Sequence, residues 1–298
     1  MKLHGSFGDE YEDNDLNKKL YRLIPSQTQD IIATALLLVV LPLGVLLHLF
    51  YVLSTWFPAF GEAWVIRTSI LLFFAFNLYS NWFFMVRVGP SGRNTILPNV
   101  VKAGFRYCHA CHTNAPPRAH HCPVCDVCVL RRDHHCSFGA VCVGHFNQRY
   151  FVAAAINLWL LVAPLVSYDW SLMSSKLDGG ITAGRFWQIM LPHVAFITRF
   201  LTWSQFIHVV LFVFTFTVLM FATYLLAAQI FCLVKGQTRV EYLMDIHAYQ
   251  LGFLENLRQS LGARWPFIAL SCFIPSPLPS NGMSFATREL ESFNSKDL

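Results

Sequence analysis

The sequence predicts an all-α polytopic membrane protein with four transmembrane helices and a cysteine-rich domain between the second and third helices. Composition is the first of three observations behind this prediction. The 298-residue chain is 55% hydrophobic and only 13% charged, whereas roughly a quarter of the residues in a soluble domain are charged. The second observation is a series of long apolar runs. The third is a cluster of cysteines and histidines in the polar stretch between two of those runs.

Four apolar runs are long enough to cross a membrane, because about 20 residues at ~1.5 Å rise each cover a hydrocarbon core of about 30 Å. We place the spans at residues 31–53, 64–86, 150–168 and 206–233. Residues 187–203 are also apolar, but Pro192, His193 and Arg199 interrupt them, so we expect an interfacial or lumenal helix there. The apolar patch at 265–275 is too short to be a span.

These spans divide the chain into five parts. The expected parts are an N-terminal tail (1–30), two transmembrane helices (31–87), a cysteine-rich domain (88–148), two further transmembrane helices with a lumenal loop (149–234) and a C-terminal tail (235–298).

The distribution of Lys and Arg predicts which parts face the cytosol. The connector between the first two spans has no Lys or Arg before Arg67, whereas both tails and the cysteine-rich domain carry several. By the positive-inside rule both termini and that domain are cytosolic, and we expect a multi-pass protein of the endoplasmic reticulum or Golgi. The basic residues concerned are Lys18, Lys19, Arg22, Arg87, Arg93, Lys102, Arg106, Arg118, Arg131, Arg132, Arg149, Lys235 and Arg239.

The predicted topology also limits which partners the protein is expected to bind and how its cysteines are expected to be used. The net charge of +5 is explained by basic cytosolic loops beside a lipid bilayer, so no nucleic-acid partner is expected. Disulfides need an oxidising compartment, and the cytosol keeps thiols reduced. Metal binding is therefore the favoured use of the cluster.

Seven of the nine cysteines and six histidines lie between Cys108 and Cys142. Cys-x2-Cys steps recur there, and such steps commonly give one zinc ion two thiolates, with four Cys or His ligands in all. Two ions need eight ligands, so six thiols and two histidines would leave one cysteine free. Ligand counting does not choose among the histidines, which are His109, His112, His120, His121, His134, His135 and His145.

This segment closely resembles the cysteine-rich domain of the DHHC family of protein S-acyltransferases. The resemblance rests on Pro117-x2-His120-His121-Cys122, Asp133-His134-His135-Cys136, Cys142-Val143-Gly144, Asn147 and Phe151. It implies four spanning helices with this domain on the cytosolic loop between spans two and three.

The resemblance also implies two structural zinc ions. One would be held by Cys108, Cys111, His121 and Cys128, and the other by Cys122, Cys125, His135 and Cys142. Each set fills all four positions, so neither ion would have an open position to activate water.

Cys136 is the thiol left over, and the resemblance implies that it is the nucleophile, with His134 as base and Asp133 orienting His134. A long-chain acyl group, such as that of palmitoyl-CoA, would pass to Cys136 and then to cysteines of substrate proteins near the membrane. Arg131, Arg132 and Lys102 are candidates to meet the CoA phosphates. Asn157, Trp159 and Tyr224 are candidates to face the acyl chain.

The chain departs from the family pattern around this centre. Ser137-Phe138 replaces Pro-Trp, Ala140-Val141 replaces two Asn, Gly89-Pro90-Ser91 replaces Asp-Pro-Gly, and Thr238-Arg239-Val240-Glu241 replaces Thr-Thr-x-Glu. Gly252, Asn256 and Gly262 match the family's C-terminal packing motif, in which the Asn satisfies backbone groups. We expect Arg239 to form an ion pair with Asp133.

Three other functions are compatible with parts of the pattern. A catalytically inactive zinc-bearing membrane adaptor is the main alternative. A membrane-anchored ubiquitin ligase would use crossed zinc sites but has a different ligand spacing and no surplus Asp-His-His-Cys. A transporter would place Asn77, Asn81 and Asn157 at depth, but no pair of broken helices is evident.

Overall fold

The computed structural model describes residue 25 and residues 27–90, 104–177, 180 and 182–288 of the chain. Helices dominate these residues. In chain order they are α1 (Thr28–Trp56), α2 (Glu62–Val88), α3 (Gln148–Lys176), α4 (Phe186–Met190), α5 (Pro192–Ile197), α6 (Trp203–Lys235), α7 (Arg239–Leu243) and α8 (Phe253–Leu261). Single 3-10 turns lie at Ala183–Arg185 and Trp265–Phe267.

Within the described residues, four helices are long and apolar enough to cross a membrane, namely α1, α2, α3 and α6. This confirms the predicted fold class. Each helix extends beyond the apolar run that predicted it. The helix α1 begins at Thr28, ahead of the predicted residue 31, and it contains two π-helical turns, Leu36–Val40 and His48–Val52.

Helix α3 is the centre of the bundle, since α2 and α6 both pack along it. In the most apolar 18-residue stretch of α3, 56% of the residues are buried inside the protein, compared with 22–28% in α1, α2 and α6. Most apolar side chains of those three helices are therefore available to contact lipid. The short helices α4 and α5 pack on α6 through Ile189 and Ala195. Residues 187–203 therefore do not form a fifth span, as the interrupting Pro192 predicted.

Three antiparallel hairpins build the described part of the cysteine-rich domain between α2 and α3. Their strands are β1 (Arg106–Cys108) with β2 (Thr113–Ala115), β3 (His120–Cys122) with β4 (Val127–Val129), and β5 (His134–Cys136) with β6 (Val141–Val143). Each strand has only three residues, so the hairpins are too small to enclose an extensive hydrophobic core. Stability must therefore come from outside the hairpins, and packing on the bundle is one source of it, since Cys136 and Val143 belong to the same hydrophobic cluster as Met85 and Phe151.

The C-terminal segment packs on both the spans and the cysteine-rich domain. Asn256 of α8 donates to the Val234 carbonyl (2.9 Å) and accepts from the Leu251 backbone N–H (2.9 Å), the role that the sequence predicted for it. Farther on, His145 Nε2 hydrogen-bonds the Ser280 carbonyl at 2.8 Å. The segment 235–288 is therefore part of the fold.

Candidate active site

The hairpins bring the predicted ligands together in two groups of four. The first group is Cys108, Cys111, His121 and Cys128, and the second group is Cys122, Cys125, His135 and Cys142. Within each group the ligand atoms all lie within 4.8 Å of one another. Three thiols and one imidazole are a donor set that zinc prefers.

Strand pairing explains how the sequence reaches this arrangement. His121 pairs with Cys128 across the β3–β4 hairpin, and His135 pairs with Cys142 across the β5–β6 hairpin, so each pair contributes two ligands to one group. Adjacent residues such as His121 and Cys122 point to opposite sides of a strand. They therefore serve different groups, and the two groups are interlocked.

One nitrogen of each histidine faces the sulfurs. His135 Nδ1 lies 3.3 Å from Cys125 Sγ, 3.8 Å from Cys142 Sγ and 3.9 Å from Cys122 Sγ. The other ring nitrogen, Nε2, is 3.1 Å from Oδ2 of Asp30, at the start of α1. In the first group, His121 Nδ1 lies 3.2 Å from Cys111 Sγ.

The same strand geometry sets up the candidate reactive thiol. In β5, His134 and Cys136 are two residues apart and lie on one side of the strand, while His135 between them points to the second group. Cys136 is outside both groups and is 6% exposed. His135 therefore faces the second group, whereas His134 and Cys136 lie on the other side of the strand and interact with each other.

Asp133 orients His134 through a hydrogen bond. Its Oδ2 accepts a hydrogen bond from His134 Nδ1 (2.8 Å), and the carboxylate is 1% exposed. Burial acts to raise the pKa of Asp133, but hydrogen bonds from His134, the Arg239 backbone and Gln229 outweigh it and lower the pKa below its usual value. The carboxylate is therefore held in its charged form, which can stabilise an imidazolium.

The pKa of His134 is raised to about 9. Burial acts to lower it, but the hydrogen bond to Asp133, the hydrogen bond to Cys136 and the charges of both groups prevail. The ring also packs edge-on against Phe151, 4.9 Å between centroids. This is the arrangement of a base that stores the proton of a neighbouring thiol.

An apolar cavity of about 250 Å³ lies between the four spans, and Cys136 is part of its lining. It is lined by α1 (Leu36, Leu37, Val40, Leu41), α2 (Leu78, Trp82, Met85), α3 (Phe151, Ala154, Ala155, Leu158), α6 (Phe214, Thr217, Val218, Phe221, Leu225) and Phe138. Apart from the Thr217 hydroxyl, the Trp82 N–H, the Met85 thioether and the Cys136 thiol, these side chains are hydrocarbon. The cavity is suited to an alkyl chain attached at the thiol.

Two spans hold the backbone just after Cys136. Trp82 Nε1 of α2 donates to the Phe138 carbonyl (2.8 Å), and Thr34 Oγ1 of α1 donates to the Ser137 carbonyl (3.2 Å). The Phe138 ring also packs against Phe221 of α6 in a tilted arrangement, 5.5 Å between centroids. Of the Ser-Phe pair that departs from the family pattern, Phe138 thus forms part of the cavity wall, while the Ser137 backbone is held by α1.

A buried chain of hydrogen bonds leads from Arg131 to Asp133. Arg131 Nη1 donates to Gln148 Oε1 (2.7 Å), Gln148 Nε2 donates to Gln229 Oε1 (3.1 Å), and Gln229 Nε2 donates to Asp133 Oδ2 (2.8 Å). A second Arg131 nitrogen donates to Ser260 Oγ at 2.6 Å. Arg131 is 2% exposed, so the expectation that it meets CoA phosphates is wrong. Lys102 lies outside the described residues.

The Thr238–Glu241 element caps α7 and forms an ion pair with the cysteine-rich domain. The Arg118 guanidinium donates to both carboxylate oxygens of Glu241 (2.5 and 2.7 Å), and the same carboxylate accepts from the Thr238 backbone N–H (2.9 Å). The side chains of Arg118 and Glu241 are 3% and 1% exposed. Buried charges of this kind need their partners, so this pair fixes α7 beside Asp133.

Two further expectations about individual side chains are wrong. Arg239 donates to Asp133 through its backbone N–H (2.7 Å), while its guanidinium is exposed and contacts Tyr224 Oη at 3.3 Å. The acyl-facing candidates are also elsewhere: Asn157 binds the Ala269 carbonyl, and Trp159 binds Thr223. Both errors concern side-chain direction, which spacing along a span does not determine.

Sequence reasoning missed three residues of this region. Asp30 lies just before the predicted first span, and Gln148 and Gln229 lie near the ends of spans, where polar residues are common. The contacts Asp30–His135, Gln148–Gln229 and Gln229–Asp133 join residues that are 105, 81 and 96 positions apart in sequence. A single polar residue flanking an apolar run was the available signal, and it is too general to identify a site.

The fold and the site together define a four-span membrane protein with a two-centre Cys/His domain and a thiol that opens onto an apolar cavity. The chain belongs to the DHHC palmitoyltransferase family, whose pattern matches residues 101–246. A relative named probable palmitoyltransferase ZDHHC24 of Danio rerio is 34% identical over 221 residues, which are 72% of this chain and 74% of the relative. The proteins of the same name from Homo sapiens and Rattus norvegicus are each 32% identical, covering 77% and 71% of this chain and 82% and 75% of their own lengths.

Proposed function

We propose that this protein is a protein-cysteine S-palmitoyltransferase that carries the acyl group on Cys136. The observation that supports this most directly is the position of Cys136, which lines the apolar cavity and lies beside the hydrogen-bonded His134–Asp133 pair. One residue thus adjoins both the groups that activate a thiol and a compartment for a long alkyl chain. Each CH2 transferred from water to such a compartment contributes about 0.8 kcal/mol.

In the first step, His134 takes the proton of the Cys136 thiol, and Asp133 stabilises the resulting imidazolium. The thiolate attacks the carbonyl carbon of a long-chain acyl-CoA thioester. A new C–S bond forms to Cys136, the C–S bond to CoA breaks, and CoA leaves with the proton from His134. The acyl chain then occupies the cavity.

In the second step, His134 takes a proton from a cysteine thiol of a substrate protein. The substrate sulfur attacks the acyl carbon, and the bond to Cys136 breaks. Cys136 leaves as a thiolate and recovers the proton from His134, which restores the starting state. The acceptor must be a cysteine close to the membrane surface, because Cys136 belongs to the cysteine-rich domain and lines a cavity among the spans.

Two zinc ions held by the first and second groups are the proposed structural cofactors. They would cross-link three hairpins that have little hydrophobic core, and with four protein ligands each they have no open position for chemistry. Their contribution is rigidity: His135 and Cys142, which flank Cys136 in β5 and β6, are both in the second group. The strand that carries the nucleophile is thereby fixed.

We further propose that both termini and the cysteine-rich domain face the cytosol, in a membrane of the endoplasmic reticulum or Golgi. The Lys and Arg distribution supports this orientation. It would place Cys136 on the side where acyl-CoA and cytosolic substrate cysteines are found, and where thiols remain reduced.

The test is autoacylation of the purified full-length protein with radiolabelled palmitoyl-CoA. Wild-type protein should take up label that hydroxylamine releases, and Cys136→Ser should take up none that is hydroxylamine-sensitive. Cys272→Ala is a matched control, because this buried cysteine is outside both groups and away from the cavity. It should behave as wild type.

The same measurement tests the alternative of an inactive zinc-bearing membrane adaptor. Wild-type protein that contains zinc but acquires no hydroxylamine-sensitive label would contradict the proposed transferase and favour the adaptor. Labelling that persists in Cys136→Ser would instead assign the acyl group to another cysteine.

A further inference from the structure

The first turns of α1 present two polar side chains to β5. Asp30 Oδ2 accepts a hydrogen bond from His135 Nε2 (3.1 Å), and Thr34 Oγ1 donates to the Ser137 carbonyl (3.2 Å). Residues four apart lie on one face of a helix. These contacts fall on either side of Cys136, so one face of α1 holds the chain before and after the candidate nucleophile.

The surroundings of Asp30 stabilise a buried carboxylate at this position. Asp30 is 3% exposed although it lies near the end of a span, and a buried carboxylate is costly unless it is hydrogen-bonded or paired. Its position in the first turn also suits the positive end of the helix dipole. The carboxylate is therefore stabilised in place, with His135 as a hydrogen-bonding partner.

The geometry of His135 gives this carboxylate a specific purpose. Nδ1 faces the three sulfurs of the second group, which leaves Nε2 as the nitrogen that carries the proton. A carboxylate on that nitrogen fixes the tautomer and ring orientation of a metal-ligating histidine and strengthens it as a ligand.

We propose that Asp30 is a positioning residue that ties α1 to the second group by orienting His135, while Thr34 completes the attachment on the far side of Cys136. The inference rests on the proposed function for its ligand set, and it adds a residue from the first span to the cysteine-rich domain. Since Leu36, Leu37 and Val40 of the same helix line the cavity, the attachment aligns the cavity wall with the thiol.

The first group provides an internal comparison. His121 Nε2 is 3.8 Å from Asp126 Oδ1, and the Asp126 side chain is 89% exposed. That distance is beyond a hydrogen bond, and water screens the charge. Asp126 should therefore have little influence on its histidine, which makes it a matched control.

The test is chelator competition on the purified full-length protein, with zinc content measured by atomic spectroscopy. Wild type should hold two zinc ions. Asp30→Ala should retain one of them about 10- to 100-fold more weakly, Asp30→Asn should be intermediate because the amide oxygen still accepts, and Asp126→Asn should match wild type. Asp30→Asn preserves the shape of the side chain, so it reports even if Asp30→Ala folds poorly.

Thr34→Val separates the two halves of the attachment. It should leave zinc retention unchanged and slow palmitoylation of Cys136 severalfold. Equal zinc retention in Asp30→Asn, Asp30→Ala and Asp126→Asn would overturn the role of Asp30. Wild-type protein without zinc would instead overturn the ligand set of the proposed function.

Discussion

The backbone N–H of Arg239 donates a 2.7 Å hydrogen bond to Oδ1 of Asp133. Arg239 is the first residue of α7, with Thr238 as its cap, and the N–H at this position has no acceptor within the helix. The free end of a helix thus supplies a donor to the buried carboxylate. The identity of the side chain at 239 matters little for this bond.

We predict that Arg239→Ala has an autoacylation rate within about twofold of wild type, because alanine keeps the N–H, whereas Arg239→Pro is at least about tenfold slower. Proline is favoured at the first position of a helix, so it removes only the hydrogen bond, and a bond to a charged group is worth about 1.5–3 kcal/mol. Single-turnover labelling of Cys136 measures both rates. Equal rates in the two variants would contradict the backbone role.

The side-chain amide of Gln229 also donates a hydrogen bond to Asp133, and the Gln148 side chain donates to the Gln229 carbonyl oxygen. We predict that Gln229→Leu slows acylation of Cys136 about tenfold, since it removes one bond to the carboxylate and leaves a buried Gln148 N–H without an acceptor. Gln229→Glu should be slower still, because a second carboxylate would face Asp133. Gln259→Leu, a change at a half-buried glutamine of α8, is the control and should have the wild-type rate.

The cavity can be filled without touching the thiol. Ala154 lines it from α3, and we predict that Ala154→Phe reduces transfer from palmitoyl-CoA at least about tenfold by occupying space required by several CH2 groups. Alkylation of Cys136 by a small thiol reagent should be little changed. The control is Leu43→Phe on the lipid-facing side of α1, where Leu43 is 60% exposed. Equal loss in both variants would exclude the cavity as the cause.

The turn between β5 and β6 contains a strained residue. Ala140 has φ +48°, a left-handed conformation that costs an ordinary residue roughly 1–2 kcal/mol and that Asn tolerates better. We predict that Ala140→Asn stabilises the protein by about 1 kcal/mol and raises its melting temperature in detergent. Ala119→Asn, at a loop alanine of the same domain without positive φ, should give no increase.

The Arg118–Glu241 pair tests how much stability depends on buried charge. Because both side chains are buried, Glu241→Gln should destabilise the protein by about 3–5 kcal/mol by leaving the Arg118 charge without its partner. The double change Arg118→Met, Glu241→Leu should be less destabilising than the sum of the single changes. Denaturation of all the variants in one detergent measures the coupling, and strict additivity would argue against it.

Hydropathy and residue spacing predicted the four spans and the cysteine-rich domain between the second and third, and the resemblance to the DHHC family predicted the members of each group of four. Hydropathy decides membrane spans because about 20 consecutive apolar residues have few other stable environments. The Cys-x2-Cys steps place the thiols within one short segment, and the motifs of that segment carry the family resemblance that assigns each ligand. These properties are local, so a chain read in order reveals them.

The surroundings of the thiol depend on contacts between residues that are far apart in the chain. Asp30 reaches His135 across 105 residues, Gln229 reaches Asp133 across 96, and Arg239 contributes its backbone where its side chain was expected. The direction of a side chain at the end of a span depends on how the helices pack, and no local pattern encodes that packing. The spans could therefore be predicted from hydropathy and the ligand groups from the family resemblance, whereas the hydrogen bonds that orient Asp133 and His134 beside Cys136 required the folded chain.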